Sequence, residues 1–210
     1  MLCAICKTRR PRRYCPGIGG EICAICCGTE REVTISCPFD CVYLREARRH
    51  EKAAFPENLP NSDIEVSEKF VEQNERLLSA VASTVFRAAM AASGAVDFDV
   101  REALEGLIRT YRTLRSGIYF ESRPTNPLAA AIYNAVEETV AGFRRAEQEQ
   151  TGVSHTRDAD VLAVLVFLQR YEYARNNGRR KGRAFLDALR EFYPEFSGGE
   201  PAPSSSLILP

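Results

Sequence analysis

The spacing of apolar residues separates a cysteine-rich first quarter of this chain from a helical remainder. Beyond residue 65, apolar side chains recur every three or four positions, which is the pattern of helices with one buried face. The pattern predicts five helices, at about residues 67–93, 99–117, 125–152, 158–175 and 185–192. The fourth is apolar on most of its faces and is expected to be the central buried helix. Residues 66–196 are therefore predicted to form an α-helical bundle of four to five helices, in a mainly α protein.

Residues at the ends of these segments carry the usual signals of helix boundaries. Asp99 and Glu102 have the spacing of a capping box, and Pro127 suits the first position of a helix. Gly152 is expected to stop the third helix. Asp40 is expected to cap a further short helix that follows the last cysteine.

Two segments have the composition of connecting or terminal chain. Residues 53–65 are predicted to be a linker, and residues 197–210 a flexible tail in which glycine, proline and serine dominate. The tail ends in Leu207-Ile208-Leu209-Pro210. These apolar residues are expected either to dock in a groove, on this protein or another, or to pack back on the bundle.

All eight cysteines of the chain lie in its first 41 residues, and their spacing predicts a metal-binding module over residues 1–52. Eight cysteines suit four disulfides in an oxidising compartment, or two tetrahedral four-thiolate zinc sites in a reducing one. Close C-x2-C pairs favour zinc because such a turn directs two sulfurs at one ion. The usual C-x2-C-x2-C run of iron–sulfur proteins is absent. The prediction is two structural Zn²⁺ ions held by Cys3, Cys6, Cys15, Cys23, Cys26, Cys27, Cys37 and Cys41.

The eight ligands are divided between two interleaved sites. The first set is predicted to be Cys3, Cys6, Cys23 and Cys26, and the second set Cys15, Cys27, Cys37 and Cys41. This division gives the adjacent Cys26 and Cys27 to different ions, on the expectation that neighbours in extended backbone face opposite ways. Exchanging Cys23 with Cys27 is the alternative.

The interleaving resembles the cross-brace zinc fingers of the RING, B-box, MYND and HIT type. The stretch Arg13-Tyr14-Cys15-Pro16 and the later Cys37-x3-Cys41 followed by His50 are most similar to the HIT and MYND members. The resemblance covers about the first fifty residues and implies a two-zinc scaffold there. It departs from those families in the spacing between Cys15 and Cys23. His50 follows Cys41 by a stretch of helix about 13 Å long, so it is predicted to lie on the helix surface and not to bind zinc.

Nothing in the cysteine pattern predicts catalysis. A catalytic zinc keeps an open coordination position, whereas four thiolates close the site. The chain also lacks a glycine-rich phosphate loop, a nucleophile elbow and a dinucleotide fingerprint. The protein is therefore predicted to be non-enzymatic, although a novel active site would escape a search by motif.

The distribution of charge identifies two basic loops as candidate contact sites. The chain has 28 basic residues (lysine and arginine) and 28 acidic residues (aspartate and glutamate). The molecule as a whole therefore carries no net charge that would attract nucleic acid. Within this balance the cations concentrate in two loops, one at residues 7–13 and one at residues 175–183. Their basic residues are Lys7, Arg9, Arg10, Arg12 and Arg13 in the first loop, and Arg175, Arg179, Arg180, Lys181 and Arg183 in the second. Such loops either contact a partner or offset nearby thiolates and carboxylates. Arg45, Arg48, Arg49 and Lys52 form a further basic group beyond Cys41.

These observations predict a zinc-binding adaptor or regulatory protein whose finger and bundle contact another protein or a second copy of the chain. The alternative is an RNA- or DNA-binding protein, which requires the two basic loops to lie on one face. The N-terminal residues lack the pattern of a signal peptide, so we expect a cytoplasmic protein. No membrane contact is expected, because the longest apolar run, residues 161–168, is too short to span a bilayer.

Overall fold

The computed structural model describes residues 1–51 and 59–196. Residues 53–58 of the predicted linker, and the whole predicted tail with its Leu207-Ile208-Leu209-Pro210 end, lie outside the described residues. Residues 1–51 are called the cysteine module below, and residues 66–196 the bundle. The prediction of a mainly α chain is confirmed.

The cysteine module begins with a short antiparallel hairpin. Strand β1 (Arg13–Cys15) pairs with β2 (Gly20–Ile22), and the hairpin turn lies close to a later segment of the module. A Cβ atom on Gly17 would lie 2.7 Å from Ile35 Cγ2 and 2.8 Å from the carbonyl oxygen of Ser36, so glycine is required there. Helices α1 (Ala24–Glu30) and α2 (Val42–Arg48) complete the module.

Six helices form the bundle, with a 3-10 turn at Pro194–Phe196. They are α3 (Glu68–Gln73), α4 (Glu75–Ala91), α5 (Asp97–Arg115), α6 (Pro127–Thr151), α7 (Asp158–Arg175) and α8 (Ala184–Phe192). As predicted, α7 is the central helix, since side chains on most of its faces are buried. It packs on α5 and α8, while α4 packs on α6 and α8.

Three predicted helix boundaries are wrong. The first long helix is two, because Asn74 leaves helical geometry between α3 and α4. Helix α5 starts at Asp97, and Asp99 lies in its first turn, where its carboxylate accepts a hydrogen bond from the Val96 amide (2.8 Å). Asp40 does not cap α2, since Cys41 occupies the cap position. By contrast, α6 and α7 begin and end close to where the sequence places them, with Gly152 left-handed as the stop of α6.

The cysteine module contacts the bundle through a buried aromatic side chain. Phe39 of the cysteine module is buried and belongs to the hydrophobic core of the bundle. The guanidinium of Arg183 stacks on its ring, with 4.0 Å between Cζ and the ring centroid. None of the helices in the described part of the chain combines the length and apolar character that crossing a membrane requires.

Candidate metal centre

Four cysteines of the module form a compact group. The Sγ atoms of Cys3, Cys6, Cys23 and Cys26 all lie within 4.8 Å of one another. Four sulfurs bound tetrahedrally to zinc at about 2.3 Å are about 3.8 Å apart, so this group is close to the size of a metal-bound one. The grouping agrees with the predicted first set and not with the alternative that exchanges Cys23 for Cys27. One metal ion can therefore be held by these four residues.

Local backbone geometry brings the first set together. Cys23 is the N-cap of α1, where its Sγ accepts a hydrogen bond from the Cys26 amide (3.4 Å). The Cys23 amide in turn donates to Cys3 Sγ (3.2 Å). Lys7 closes the turn after Cys6 in a left-handed conformation, with its amide bonded to the Cys3 carbonyl (2.9 Å). Amide-to-sulfur bonds of this kind stabilise thiolates, which are the form that binds metal.

Acidity differs among the thiols of the first set. Hydrogen bonds, chiefly from Thr8, lower the pKa of Cys6 to about 5. Burial is the main reason that the pKa of Cys26 is raised to about 12, with hydrogen bonds to neighbouring cysteines adding to the effect. A divalent ion must therefore displace protons from part of the group, so metal affinity is expected to rise with pH.

Cys26 and Cys27 diverge for a different reason from the predicted one. Both lie on helix α1 and not in extended backbone, so the expectation of strand-like alternation is wrong. Successive residues of an α-helix are about 100° apart around its axis, which still turns the two thiols in different directions. Cys26 joins the first set, while Cys27 lines a separate cavity.

That cavity is bordered by all four cysteines of the predicted second set. Cys15, Cys27, Cys37 and Cys41 line it together with apolar groups of Ile22 and Leu44. Among the described residues, the second set does not meet the 4.8 Å spacing that the first set satisfies. The second set therefore shares one cavity in a more open arrangement than the first.

Two arginines point their guanidinium groups at the second set. Arg13 Nη1 lies 3.5 Å from Cys27 Sγ and Arg31 Nη2 lies 4.0 Å from the same sulfur. The Arg13 guanidinium also lies 4.4 Å from the centre of the Tyr43 ring. Arg13, predicted as a partner contact, thus turns towards the cavity.

The remaining basic residues of the first loop lie at the surface. Lys7, Arg9, Arg10 and Arg12 are exposed. A hydrogen bond to Cys23 is the main reason that the pKa of Arg9 is raised, which puts this guanidinium beside the first set. His50 is exposed beside Glu46, with 3.5 Å between Nε2 and the carboxylate, and is not among the grouped ligands.

The second basic loop lies largely between the two parts of the chain. Arg179 donates to the Arg31 carbonyl (2.6 Å), Lys181 to the Thr34 carbonyl (2.7 Å) and Arg183 to the Cys37 carbonyl (3.1 Å). Of the other two predicted contacts, Arg180 is exposed, and Arg175 is exposed with its guanidinium 5.3 Å from the Tyr171 ring centre. Three of the five cations in this loop therefore bind the cysteine module.

Glu32, which the sequence did not single out, is the centre of this contact. Its side chain is 1% exposed, and its backbone is left-handed at φ 53°. Its carboxylate accepts hydrogen bonds from Arg48 Nη2 (2.6 Å), Asn177 Nδ2 (2.8 Å) and the Arg183 amide (3.1 Å). A buried carboxylate is tolerated only when it is paired and hydrogen-bonded in this way. Glu30-Arg31-Glu32 is a run of three charged residues, a pattern typical of an exposed surface. The sequence therefore does not predict that Glu32 is buried.

The chemistry available at the first set is that of closed coordination. Four thiolates fill a tetrahedral ion and leave no position for a substrate or an activated water. Compared with protein-family models, with curated proteins and with solved structures, the chain gave no match. Function is therefore inferred from the residues and their geometry.

Proposed function

We propose that this protein is a non-enzymatic, zinc-binding adaptor of the cytoplasm, in which the cysteine module and the bundle act as one protein-binding body. The observation that carries the proposal is the group of four thiols at the first set, which suits a structural ion and not a catalytic one. The resemblance of the cysteine spacing to cross-brace fingers points the same way, since those scaffolds present surfaces to partners.

Zinc is the ion that we assign to both sets, giving two per chain. Tetrahedral sites made of thiolates alone favour zinc over harder divalent ions. Support for the second ion comes from the shared cavity and from its two arginines. One Zn²⁺ with four thiolates carries a net charge of about −2, which the guanidinium groups of Arg13 and Arg31 offset. Four disulfide-bonded or protonated cysteines would leave those cations without a counter-charge.

Exposed apolar side chains support protein contact by both parts of the molecule. On the bundle, Ile118, Tyr119 and Phe120 are consecutive and exposed in the connection between α5 and α6. The cysteine module exposes a separate group of large apolar side chains. These are Leu2, Tyr14, Ile18, Ile25 and Val42. Side chains of this kind gain most from burial against another protein.

Nucleic-acid binding is the second candidate, and one observation favours it. Lys7, Arg9, Arg10 and Arg12 are all exposed on one loop. Against it, three cations of the second basic loop already donate to carbonyl oxygens of the cysteine module. The adaptor proposal accounts for both loops, because the second loop then serves to join the two parts of the chain.

A salt series separates the two candidates. Zinc-loaded protein is mixed with labelled single-stranded RNA and with duplex DNA from low to physiological salt. The adaptor proposal expects no binding at low salt. Affinity that falls steeply with salt would favour nucleic acid, since the slope counts neutralised phosphates. That affinity should then disappear when Lys7, Arg9, Arg10 and Arg12 become alanine, and persist when the exposed bundle cations Arg109, Arg115 and Arg145 do.

Protein contact is tested with a single exposed residue. Ile25 is 56% exposed on α1, between two cysteines of the first set. Ile25→Asp is expected to abolish capture of partner proteins by the zinc-loaded chain while retaining bound zinc. Met90→Asp, at an exposed position of the bundle, is the matched control. Identical partners for wild type and Ile25→Asp would contradict a contact surface on the cysteine module.

A further inference from the structure

The segment at residues 31–37, called the connector, joins two cysteines of the second set. It runs from the end of α1, just after Cys27, to Cys37. The bundle residues 177–183, called the bundle loop, hold it through its carbonyl oxygens. Arg179 bonds the carbonyl of Arg31, and Lys181 bonds that of Thr34. The spacing between Cys27 and Cys37 is therefore fixed in part by the bundle.

The other side of the connector rests on the hairpin that carries Cys15. The close approach of Gly17 to Ile35 and Ser36 leaves no room for a side chain. The connector is thus held between the hairpin and the bundle loop. Glu32, the second residue of the connector, is fixed by bonds from both parts of the chain, since Arg48 belongs to the cysteine module and Asn177 to the bundle.

The bundle loop is itself a rigid support. A Cβ atom on Gly182 would lie 2.5 Å from Asn177 Oδ1 and 2.9 Å from the Arg179 carbonyl oxygen, so the loop is closely packed. The Gly182 carbonyl accepts a hydrogen bond from the Asp97 amide (2.9 Å), which ties the loop to the start of α5. Movement of the connector therefore requires movement of a loop anchored in the bundle.

We propose that the second zinc site is shared between the two parts of the chain: Cys15, Cys27, Cys37 and Cys41 supply its ligands, and Glu32 with the bundle loop positions the connector, which follows the helix of Cys27 and ends in Cys37. This inference rests on the assignment of a second zinc in the proposed function. The more open spacing of the second set means that zinc must draw the four sulfurs together. Because the bundle loop holds the connector, filling the site and docking the module on the bundle stabilise each other to the same extent.

The first set depends far less on the bundle: among the described residues, Arg179 reaches the helix that carries this set through one longer bond, to the Gly28 carbonyl (3.4 Å). Its internal bonds join Cys3, Cys23 and Cys26 to one another, all within the cysteine module. Weakening the docking is therefore expected to affect the second ion and to leave the first unchanged. This difference separates a positioning role for Glu32 from a general loss of folding, which would affect both ions.

The test is a zinc titration of the full chain by native mass spectrometry, with a chromophoric chelator as competitor. Glu32→Gln is compared with Glu30→Gln, which removes the same charge from a partly exposed side chain bonded to Thr34. Wild type and Glu30→Gln should bind two ions with the same affinities. Glu32→Gln should bind the first ion normally and the second about 10- to 100-fold more weakly, as for other outer-sphere partners of metal sites.

Three other results of this titration would overturn the shared site, and one of them would also overturn the second zinc. An unchanged second affinity in Glu32→Gln overturns the shared site and leaves the second zinc of the proposed function standing. Binding of one ion by wild type overturns both the second zinc and the shared site. Equal weakening of both ions in Glu32→Gln also overturns the shared site, because it indicates a general loss of folding.

Hydrogen exchange on wild type tests the inference without any substitution. The amides of Lys181 and Arg183 donate to the carbonyl and carboxylate oxygens of Glu32. The amides of Phe185 and Leu186 donate instead to Asp97 inside the bundle. A second equivalent of zinc should slow exchange at residues 181 and 183 and leave residues 185 and 186 unchanged. Identical exchange at residues 181 and 183 with one and two equivalents overturns the shared site.

Discussion

The interior of the bundle consists of aliphatic and aromatic side chains from α4 to α8, whereas that of the cysteine module consists largely of cysteine. Only Ile22, Ile35 and Leu44 add buried aliphatic groups to the described part of that module. A segment of this size cannot bury enough apolar surface to be stable by that means alone. On the proposed function, metal–thiolate bonds would supply in the module the stability that apolar burial supplies in the bundle.

Removing the metal is the most severe way to test this difference. A chelator, or Cys23→Ser, is expected to unfold α1 and α2 and the hairpin while the bundle helices remain. Structural zinc contributes on the order of 10–16 kcal/mol in zinc-finger peptides, so the loss exceeds the stability of so small a module. Far-UV circular dichroism should show a small fall in helical signal, and thiol-reactive dyes should label every cysteine, eight after chelation and seven in Cys23→Ser. Collapse of most of the helical signal would show that the bundle also depends on metal.

A cavity in the bundle core should have the opposite effect. Leu165 on α7 is fully buried. Leu165→Ala is expected to lower the free energy of unfolding of the bundle by about 2–5 kcal/mol, measured by denaturant titration. Zinc bound at the first set should not change, because that set makes its internal hydrogen bonds within the cysteine module. Val153→Ala, at an exposed position, is the control and should change stability by less than about 0.5 kcal/mol.

The buried carboxyl of Asp97, at the start of α5, gives the bundle a pH dependence. Burial is the main cause that raises the pKa of Asp97 to about 7, although the amides of Phe185 and Leu186 bond to its oxygens. Since the folded pKa lies above the unfolded one, the folded state holds the extra proton between about pH 4 and pH 7. The free energy of unfolding should therefore fall as pH rises through that range and level off above it.

Asp97→Asn isolates this contribution. The unfolding free energy of wild type minus that of the variant is expected to fall by on the order of 1 kcal/mol per pH unit as pH rises from about 5.5 to 7. Taking the difference between two proteins cancels the effect of zinc release at low pH, which both share. A difference independent of pH would mean that Asp97 stays ionised in the folded protein.

The parts of this molecule that the sequence predicts correctly are those set by neighbours along the chain. Asn126 and Pro127 start α6, and Gly152 stops it, because caps depend on a few consecutive residues. The cysteines of the first set are also predicted correctly, because each C-x2-C turn places two nearby residues of the chain side by side. Such signals need no knowledge of the rest of the fold.

The contacts that sequence reasoning missed are set by residues far apart in the chain. Glu32 meets Asn177, and Arg183 reaches the Cys37 carbonyl, across more than a hundred residues. No local pattern distinguishes a carboxylate that will be buried from one that stays solvated, because its partners decide the outcome. The sequence therefore leaves open whether the cations of the second basic loop contact a partner or offset nearby acidic charge, whereas three of them join two parts of one chain.

The smallest expected effect on stability is that of an exposed ion pair at the rim, meaning the solvent-exposed edge of the contact between the cysteine module and the bundle. Asp40 is 82% exposed and pairs with Arg190 at 3.1 Å, whereas the Glu32 side chain is buried with Arg48. Exposed ion pairs contribute up to about 1 kcal/mol because water and salt screen them. Asp40→Ala should therefore lower stability by no more than this and leave the affinity for both zinc ions unchanged, as a denaturant titration and a zinc titration can measure. Arg190 keeps its contact with the Phe39 ring in this variant, which further limits the loss. A loss of the second zinc as large as that expected for Glu32→Gln would mean that the whole rim, and not the buried carboxylate, holds the module on the bundle.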